Sequence, residues 1–497
     1  MTDAGAPFQS EAVYDPVDVL DSPAAGGLVI RGSLLRLAGY TAGVLLGLIS
    51  ASLLTRHLGV GDFGKYVVVS SLVAIVAGLT DAGLATIAAR EFATRKGEDR
   101  ARLLANVIGI RIAVAALGAL VATAFTVVAG YEPVMVVGTL LAGIGLVLTT
   151  AQQTLAVPLG VTLRLGWITG IDLLRQASFV ALVVILVSAD AGLLAFLAAT
   201  IPVSVLVLTA AAILVRRTVP LLPQFDWAEW LRILRLTGAY AAAAAVGTLY
   251  ASAVVVVTSL VGTEAETGNL SAAFRIFSIL GSIPILLVSS AFPIFARAAR
   301  GDLERLEYAL KRVVEMALIV GSWMALATVL GANVAIDIVA GDQYAPAVRA
   351  LQIEGGVLVA SFLAIAAGFA LVSLHRHRVL LVGNALALAT GVLLTVVLVP
   401  LYGVNGAAIA TLVAELELAT LYLVVLFHPG AFELDFWIVA KVAAATAAAA
   451  ALVLTPLDGI VLVVAATVVY WAVLWAVRGI PDEIWEAFIP SRSKPSV

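Results

Sequence analysis

Long apolar runs alternate with short polar stretches along almost the whole chain. A helix needs about 20 apolar residues to cross a bilayer, and by this measure the chain contains about fourteen crossings. We predict them at residues 33–54, 66–89, 103–129, 134–157, 170–188, 190–215, 236–261, 269–296, 313–339, 350–374, 378–400, 404–427, 434–454 and 457–477. The predicted fold class is an all-α integral membrane protein.

The first twelve crossings resemble two distant repeats of six. Residues 50–72 (SASLLTRHLGVGDFGKYVVVSSL) align loosely with residues 252–274 (SAVVVVTSLVGTEAETGNLSAAF). Paired six-helix blocks that face a central site are a common transporter plan. We therefore predict two six-helix lobes around a central cavity, plus two C-terminal helices. The segments are a disordered cytoplasmic tail (1–30), an N-lobe (31–215), an interfacial linker helix (216–235), a C-lobe (236–428), two further crossings (429–478) and a cytoplasmic tail (479–497).

Two connections between crossings have the pattern of helices. Asp226 begins the stretch DWAEWLRILR with an N-cap residue, and Asp302 begins DLERLEYALKR in the same way. Each stretch has apolar residues on one face and charges on the other. We expect both helices to lie flat on the inner membrane surface.

Basic residues are concentrated in alternate connections. One set includes the cluster at residues 90–102 and the arginines of residues 216–235, whereas the opposite set has only Arg56, Lys65 and Arg349. Basic connections remain on the cytoplasmic side of a membrane. The pattern predicts an even number of crossings, both termini in the cytoplasm and a multi-pass protein of the cytoplasmic membrane.

Composition excludes several classes of protein. Apolar residues make up 62% of the chain and charged residues 12%, whereas soluble proteins have roughly 25% charged residues. The net charge of −3 gives no reason to expect nucleic acid as a partner. The absence of cysteine rules out disulfides, cysteine-ligated zinc and thiol catalysis. No cofactor, metal site or catalytic set is predicted, since the histidines lie at membrane edges (His57, His375, His377 and His428).

Charged residues inside the crossings are the candidate site residues, because each costs about 2.5–3.5 kcal/mol at mid-bilayer. We predict that Arg111 and Arg275 bind an anionic substrate or form structural ion pairs. Asp81 lies at a depth similar to that of Arg111, so these two residues could pair. For Asp81, Glu415 and Glu417 we predict either ion coupling or a buried ion pair. Glu415 and Glu417 lie about 200° apart around their helix and cannot both face one cavity.

Glycine and proline mark places where helices turn, approach or bend. Residues 59–65 (GVGDFGK) fit most of a phosphate-binding loop, but Tyr66 follows where Ser or Thr is required, so we interpret the glycines as a tight turn. Gly39, Gly43 and Gly47 form a ridge of small residues for helix packing, or a point of bending during transport. Pro284 would loosen its helix in the same way.

Several motifs together resemble the polysaccharide biosynthesis flippases. They are Leu58-Gly-Val-Gly-Asp-Phe-Gly-Lys-Tyr66, Thr80-Asp-Ala-Gly-Leu84, Ala89-Arg-Glu-Phe92, Tyr344-Ala-Pro-Ala347 and Val399-Pro-Leu-Tyr-Gly403-Val-Asn-Gly-Ala-Ala-Ile-Ala-Thr411. The resemblance implies a V-shaped pair of lobes around a cationic cavity. It also implies transport of a polyprenyl-diphosphate-linked oligosaccharide from the inner to the outer leaflet. Arg275 lies where family members often have a basic residue.

A lipid-linked oligosaccharide flippase, with no enzymatic activity, is therefore the predicted function. Its partners would be the lipid-linked oligosaccharide, membrane lipids and other glycan-assembly proteins. The alternatives are an ion-coupled drug or metabolite exporter of the same fold and a membrane polysaccharide polymerase or ligase. The last alternative requires a large outer loop, and the predicted outer connections are short.

Overall fold

A computed structural model describes residues 25–480, except 82–83, 85–87, 90, 93–94, 96, 163, 217–221, 286–287, 289–302 and 428–435. Within the described residues the chain forms fourteen α-helices and two 3-10 helices, and no strand. Most of the two predicted cytoplasmic tails lies outside these residues. The exceptions are residues 25–30, which begin the first helix, and residues 479–480, which follow the last one.

The helices follow one another with short connections. The N-lobe contains α1 (Ala25–Asp81), α2 (Gly97–Val128), α3 (Pro133–Val161), α4 (Leu165–Ser188), α5 (Leu193–Ala198) and α6 (Thr200–Val215). The C-lobe contains α7 (Trp227–Val261), α8 (Glu264–Leu280), α9 (Leu303–Val339), α10 (Ala347–Ser373), α11 (His377–Tyr402) and α12 (Val404–Leu426). The last two helices are α13 (Phe436–Ala450) and α14 (Gly459–Ala476), and the 3-10 helices are Asp342–Tyr344 and Ala451–Leu454.

The described helices account for the predicted crossings. Twelve are long and apolar enough to span a membrane, and one of these, Ala38–Asp81, is broken into two arms at Gly59. The apolar part of α7 is shorter, Ala245–Val261. With both arms and this shorter part, the fourteen predicted crossings are present, and the chain is a multi-pass membrane protein.

The break in α1 is a turn at Gly59, whose φ of 70° and ψ of −179° are not helical. Positive φ is costly for residues with a Cβ, which explains the glycine. Just after the turn, the Lys65 ammonium lies 2.9 Å from Glu132, before α3, and 3.4 Å from Glu264 at the start of α8. The stretch that resembles a phosphate loop therefore forms a turn and an ion-pair cluster. We call this end of the bundle the Gly59 end.

The two lobes are in close contact at the Gly59 end. A Cβ added at Gly268 of α8 would lie 2.0 Å from the carbonyl oxygen of Val60, so the backbones touch. The Thr55 hydroxyl donates to the carbonyl of Val339 at 2.7 Å, and the Tyr131 and Ser259 hydroxyls lie 2.6 Å apart. The largest hydrophobic cluster also contains side chains of both lobes. This end of the bundle is closed.

The opposite end, which we call the Arg95 end, has separate cores. One cluster lies within the N-lobe and includes Leu103 and Val207, with Ile233 from the start of α7. Another lies within the C-lobe and includes Leu310 and Ala367. The lobes are therefore packed together at one end and divided at the other.

The start of α7 differs from the flat surface helix expected at residues 216–235. From Trp227 it is continuous with the crossing that follows, and it is bound to the N-lobe by ion pairs. Arg232 pairs with Glu91 at 3.3 Å, and Glu229 with Arg95 at 3.1 Å. No proline or glycine interrupts the helix before residue 238, so the hydrogen-bond ladder continues. Likewise, α9 joins its predicted surface helix to its crossing.

Asp226 is the N-cap of α7, as its sequence predicts. Its side chain accepts hydrogen bonds from the backbone N–H groups of Ala228 and Glu229. Arg102 of α2 also binds this carboxylate, at 2.7 Å. The bond from Glu229 and then the one from Arg102 lower the pKa of Asp226. The residue that starts α7 thus also fixes its position against α2.

The last two helices pack on α9. The Tyr470 hydroxyl of α14 donates to the carbonyl of Ile319 at 2.8 Å, and the Trp323 indole donates to Thr467 at 3.2 Å. A shared cluster of apolar side chains fills the space between α9, α13 and α14. This pair of helices therefore extends the C-lobe.

We expect Gly268→Ala to lower the free energy of unfolding by about 2 kcal/mol, because overpacking a tight contact forces the backbone to shift. Thermal unfolding of the purified protein in detergent, followed by tryptophan fluorescence, measures the change. Gly170→Ala is the matched control, since a Cβ there meets nothing within 4 Å. Equal melting temperatures for the two variants would contradict the proposed backbone contact.

Candidate binding site between the two lobes

A cavity of about 440 Å³ lies between the first arm of α1, α4 and α8. Its lining comes from both lobes and lies in the half of the bundle away from Gly59. The lining residues are Gly39, Tyr40, Gly43, Val44, Gly47, Thr169, Asp172, Leu173, Arg175, Gln176, Arg275, Ser278, Ile279 and Ser282. Polar groups inside membrane-spanning helices face a polar partner, or a cavity that holds water or a ligand. The cavity is therefore the candidate substrate site.

Arg275 is one of the two arginines of this cavity. It lies on α8, about three turns after a capping box in which Thr263 and Glu266 satisfy each other's backbone N–H groups. Its side chain is exposed, and no described carboxylate forms a salt bridge with it. The structure thus places this predicted binding residue at a cavity, with its guanidinium group available.

Arg175 and Asp172 are cavity residues that sequence reasoning missed. Both lie near the start of the predicted crossing 170–188 and were not among the candidate site residues, but α4 begins at Leu165, so Arg175 lies about three turns inside the helix. Its guanidinium donates to Asp172 and to Gln152, each at 3.1 Å. The depth of Arg175 within an apolar run was the signal that could have identified it.

The glycine ridge of α1 lines this cavity. Only Gly39 approaches a neighbouring helix closely, since a Cβ there would lie 2.2 Å from Thr169. A Cβ at Gly43 would make ordinary contact with Gln176, and one at Gly47 would meet nothing within 4 Å. Helix packing therefore explains one glycine of the three. Bending of α1 at these glycines remains a prediction.

α8 ends close to the predicted weak point at Pro284. The regular helix stops at Leu280, and the chain makes a turn at Gly281. Proline has no N–H to donate to the carbonyl four residues earlier, which here belongs to Leu280. Beyond the turn, Ser282 accepts a hydrogen bond of 2.5 Å from Tyr40 of α1. A conformational role for Pro284 remains a prediction.

Arg111 forms an ion pair and does not line the cavity. Its guanidinium donates to the Asp81 carboxylate at 2.7 Å, as their similar depths suggested. The Arg111 side chain is 2% exposed and that of Asp81 is 59% exposed. Two guanidinium nitrogens of Arg111, Nε and Nη1, are buried without a hydrogen-bond partner. The geometry favours structural pairing over substrate binding for Arg111.

The two glutamates of α12 have different surroundings. Glu415 is buried and accepts hydrogen bonds from the Tyr250 hydroxyl and, at 2.8 Å, from the Ser361 hydroxyl. Glu417 is half-buried, and its Oε2 has no hydrogen-bond partner. Neither residue lines the cavity between the lobes. An ion-coupling role for either residue remains a prediction.

Glu354 of α10 is buried, and no described residue forms a hydrogen bond or ion pair with its carboxyl group. Its exposed fraction is 0%, and neither carboxyl oxygen has a hydrogen-bond partner. Burial of an unpaired polar group costs free energy. The stability of the fold therefore does not explain why a glutamate occupies this position.

An apolar pocket of about 580 Å³ lies on the other side of α8, between α8, α9 and α14. Ile276, Leu280 and Ile283 line it from α8 and the residues just beyond, opposite Trp323 and Met324 of α9. Ile276 is adjacent to Arg275 in the chain. The same stretch of chain thus has an arginine toward the polar cavity and aliphatic residues toward an apolar one.

We expect Asp81→Asn to cost about 3 kcal/mol of stability, because it leaves buried Arg111 without its charge partner. Arg111→Met should cost less, since the remaining Asp81 is exposed. The double variant should recover most of the loss. Thermal unfolding of the three variants tests this order. A larger loss for Arg111→Met than for Asp81→Asn would contradict the structural role.

We expect Glu354→Leu to keep or raise the melting temperature, because it removes an unpaired buried carboxyl. Glu315→Leu is the matched control. Glu315 is also buried, but it pairs with Arg312 at 2.9 Å, so its loss should destabilise the protein. Equal destabilisation by the two substitutions would mean that the Glu354 carboxyl has a stabilising partner.

Solved structures with a similar fold include a flippase and transporters. The lipid II flippase MurJ, in an inward closed conformation, matches with a TM-score of 0.77 and 11% identity, covering 92% of this chain and 100% of that one. An inward-facing multidrug resistance MATE family transporter of the MOP superfamily matches with a TM-score of 0.60 and 15% identity, covering 78% and 96%. A MOP superfamily transporter from Pyrococcus furiosus matches with a TM-score of 0.52 and 16% identity, covering 82% and 96%.

These likenesses confirm the two-lobed fold. A search of curated protein sequences finds no match. The family model described as "Polysaccharide biosynthesis protein" matches residues 29–299, which is more than half of the chain. The resemblance noted from the motifs is therefore confirmed, and the chain belongs to the polysaccharide biosynthesis protein family.

Proposed function

We propose that this protein moves a polyprenyl-diphosphate-linked oligosaccharide from the inner to the outer leaflet of the cytoplasmic membrane, for cell-surface polysaccharide synthesis. The observation that carries the proposal is one cavity between the lobes with two arginines, Arg175 and Arg275, and one carboxylate, Asp172, which leaves a net positive charge. An arginine at the centre of a membrane span costs about 2.5–3.5 kcal/mol, so such residues mostly form pairs or mark a functional site. Guanidinium groups bind phosphate oxygens through two parallel hydrogen bonds, so a diphosphate suits this cavity.

The apolar pocket beyond α8 supports an amphiphilic substrate. Its walls are almost wholly aliphatic and aromatic, and it is separated from Arg275 only by the width of a helix. A prenyl chain could pack there while the diphosphate remains in the polar cavity. A water-soluble anion has no apolar part that could occupy this pocket.

Closure of one end supports alternating access. The lobes share a core at the Gly59 end, and the cavity lies in the other half. The distribution of basic residues predicts that the Gly59 end faces outward. The cavity would then receive substrate from the inner leaflet, and opening of the Gly59 end would release it. Membrane lipids, and other glycan-assembly proteins, are the proposed partners.

An ion-coupled exporter of the same fold is the second candidate. The buried Glu415, bound to hydroxyls from α7 and α10, is a group that could take up a proton or a cation. Two of the similar structures are transporters of the MOP superfamily. Measurement of counter-ion flux in proteoliposomes, with and without lipid-linked sugar, distinguishes this function from the flippase.

We expect Arg275→Ala to reduce delivery of lipid-linked oligosaccharide to the outer leaflet by roughly tenfold to a hundredfold, which corresponds to the loss of a charge-assisted hydrogen bond. Delivery is measured in proteoliposomes as the fraction of labelled lipid-linked sugar that an external glycosidase can reach. Arg275→Lys should retain part of the activity, because the charge remains.

Arg349→Ala is the matched control, since Arg349 lies at the Gly59 end, away from the cavity lining. It should leave delivery unchanged. Melting temperatures of all three variants confirm that they are folded. Normal delivery by folded Arg275→Ala would remove Arg275 from the mechanism.

A further inference from the structure

A second cavity, with several polar side chains in its wall, opens beside the first. It has a volume of about 490 Å³ and lies within the N-lobe between α3 and α4. Asp172 and Arg175 line both this cavity and the one between the lobes. The ion pair therefore forms part of the wall of both spaces, which lie next to each other. We call the second cavity the N-lobe crevice.

Two glutamines give the N-lobe crevice its polar wall. Gln152 is 2% exposed, and its carbonyl oxygen accepts a hydrogen bond of 3.1 Å from Arg175. Gln153 is exposed in the crevice and has no hydrogen bond with any described residue. A side-chain amide inside a membrane span is costly unless it has a partner. Gln153 thus has an unused donor and an unused acceptor.

Arg175 also has an unused donor. Its Nη2 binds Asp172 and Gln152, but its Nε is buried without a hydrogen-bond partner. The two contacts fix the guanidinium group at the boundary of the two cavities. The side chain is 32% exposed, so the part of the guanidinium group that faces the cavities can meet a ligand.

The charge of the N-lobe crevice favours a neutral polar ligand. Asp172 and Arg175 cancel each other at 3.1 Å, and the two amides are neutral. An amide donates and accepts hydrogen bonds, which matches a hydroxyl group that does both. The remaining wall is small and aliphatic, including Ala156, Val157 and Ile171. Such a wall fits the C–H surface of a sugar ring.

We propose that the N-lobe crevice binds the sugar residues next to the diphosphate of the transported lipid. The inference rests on the proposed function, since the diphosphate at Arg175 and Arg275 places the attached sugar at the crevice. A volume of about 490 Å³ is within the roughly 300–1,000 Å³ of small-molecule sites. The substrate then extends from the N-lobe crevice, past the arginines, over α8 to the apolar pocket.

The test compares two soluble probes on the purified full-length protein in detergent. One is farnesyl diphosphate, and the other is the same diphosphate linked to a single hexose. Calorimetry measures their affinities for the wild type, which should bind the hexose-linked probe more tightly. Gln153→Leu should weaken binding of that probe by about fivefold to tenfold, the effect of one lost hydrogen bond. Binding of farnesyl diphosphate should not change.

Two further variants strengthen the comparison. Gly160→Leu fills the crevice beside Ile168. It should prevent binding of the hexose-linked probe and leave the affinity for farnesyl diphosphate unchanged. Gln352→Leu makes the same change as Gln153→Leu on α10, away from both cavities, and should affect neither probe. Melting temperatures confirm the folding of each variant.

The outcomes separate this inference from the proposed function. If the wild type binds neither probe, the proposed function fails, and the sugar site fails with it. If the wild type binds both probes equally and the crevice variants change nothing, the diphosphate site stands and the sugar site is overturned. Equal weakening of both probes by Gln153→Leu would also overturn it.

Discussion

A charged side chain inside a membrane span needs either a partner or water, because hydrocarbon cannot solvate it. This constraint accounts for the different surroundings of the charges in this protein. Arg111 is neutralised by Asp81, and Glu415 is held by two hydroxyl groups. Arg275 has no described carboxylate partner and lies at a cavity. Charged residues that have a partner, such as Arg111 and Glu415, stabilise the packing of the helices. Arg275, which lies at a cavity, is available to a substrate.

The location of the cavity follows from the packing of the lobes. At the Gly59 end, α1 and α8 touch through their backbones at Gly64 and Gly268, which leaves no space between the lobes. At the Arg95 end the described parts of the lobes have separate cores, and the start of α7 is joined to the N-lobe by ion pairs. Space therefore remains in that half. α8 borders it with Arg275 on one side and an apolar pocket on the other, which suits a substrate with a charged head and a lipid tail.

The crossings and the turn between them could be predicted because they depend on local properties. Apolar run length specifies a membrane helix, and the glycine at position 59 permits the positive φ of the turn. Asp226 was identifiable as an N-cap for the same reason. The junctions were less predictable. Whether residues 226–235 form a separate surface helix or the start of α7 depends on ion pairs with Glu91 and Arg95, which are distant in the chain.

The amino-acid sequence by itself determined that this is a helical membrane protein of one family, and it singled out Arg275. It also suggested the pairing of Asp81 with Arg111, because residues at the same membrane depth in two neighbouring antiparallel helices lie side by side. Only the tertiary structure decided which charges share a cavity. Arg175 joins Arg275 there, and Arg111 does not, because the rotation of each helix about its axis sets where its side chains point. That rotation is fixed by packing between distant helices, which the order of residues along one helix does not record.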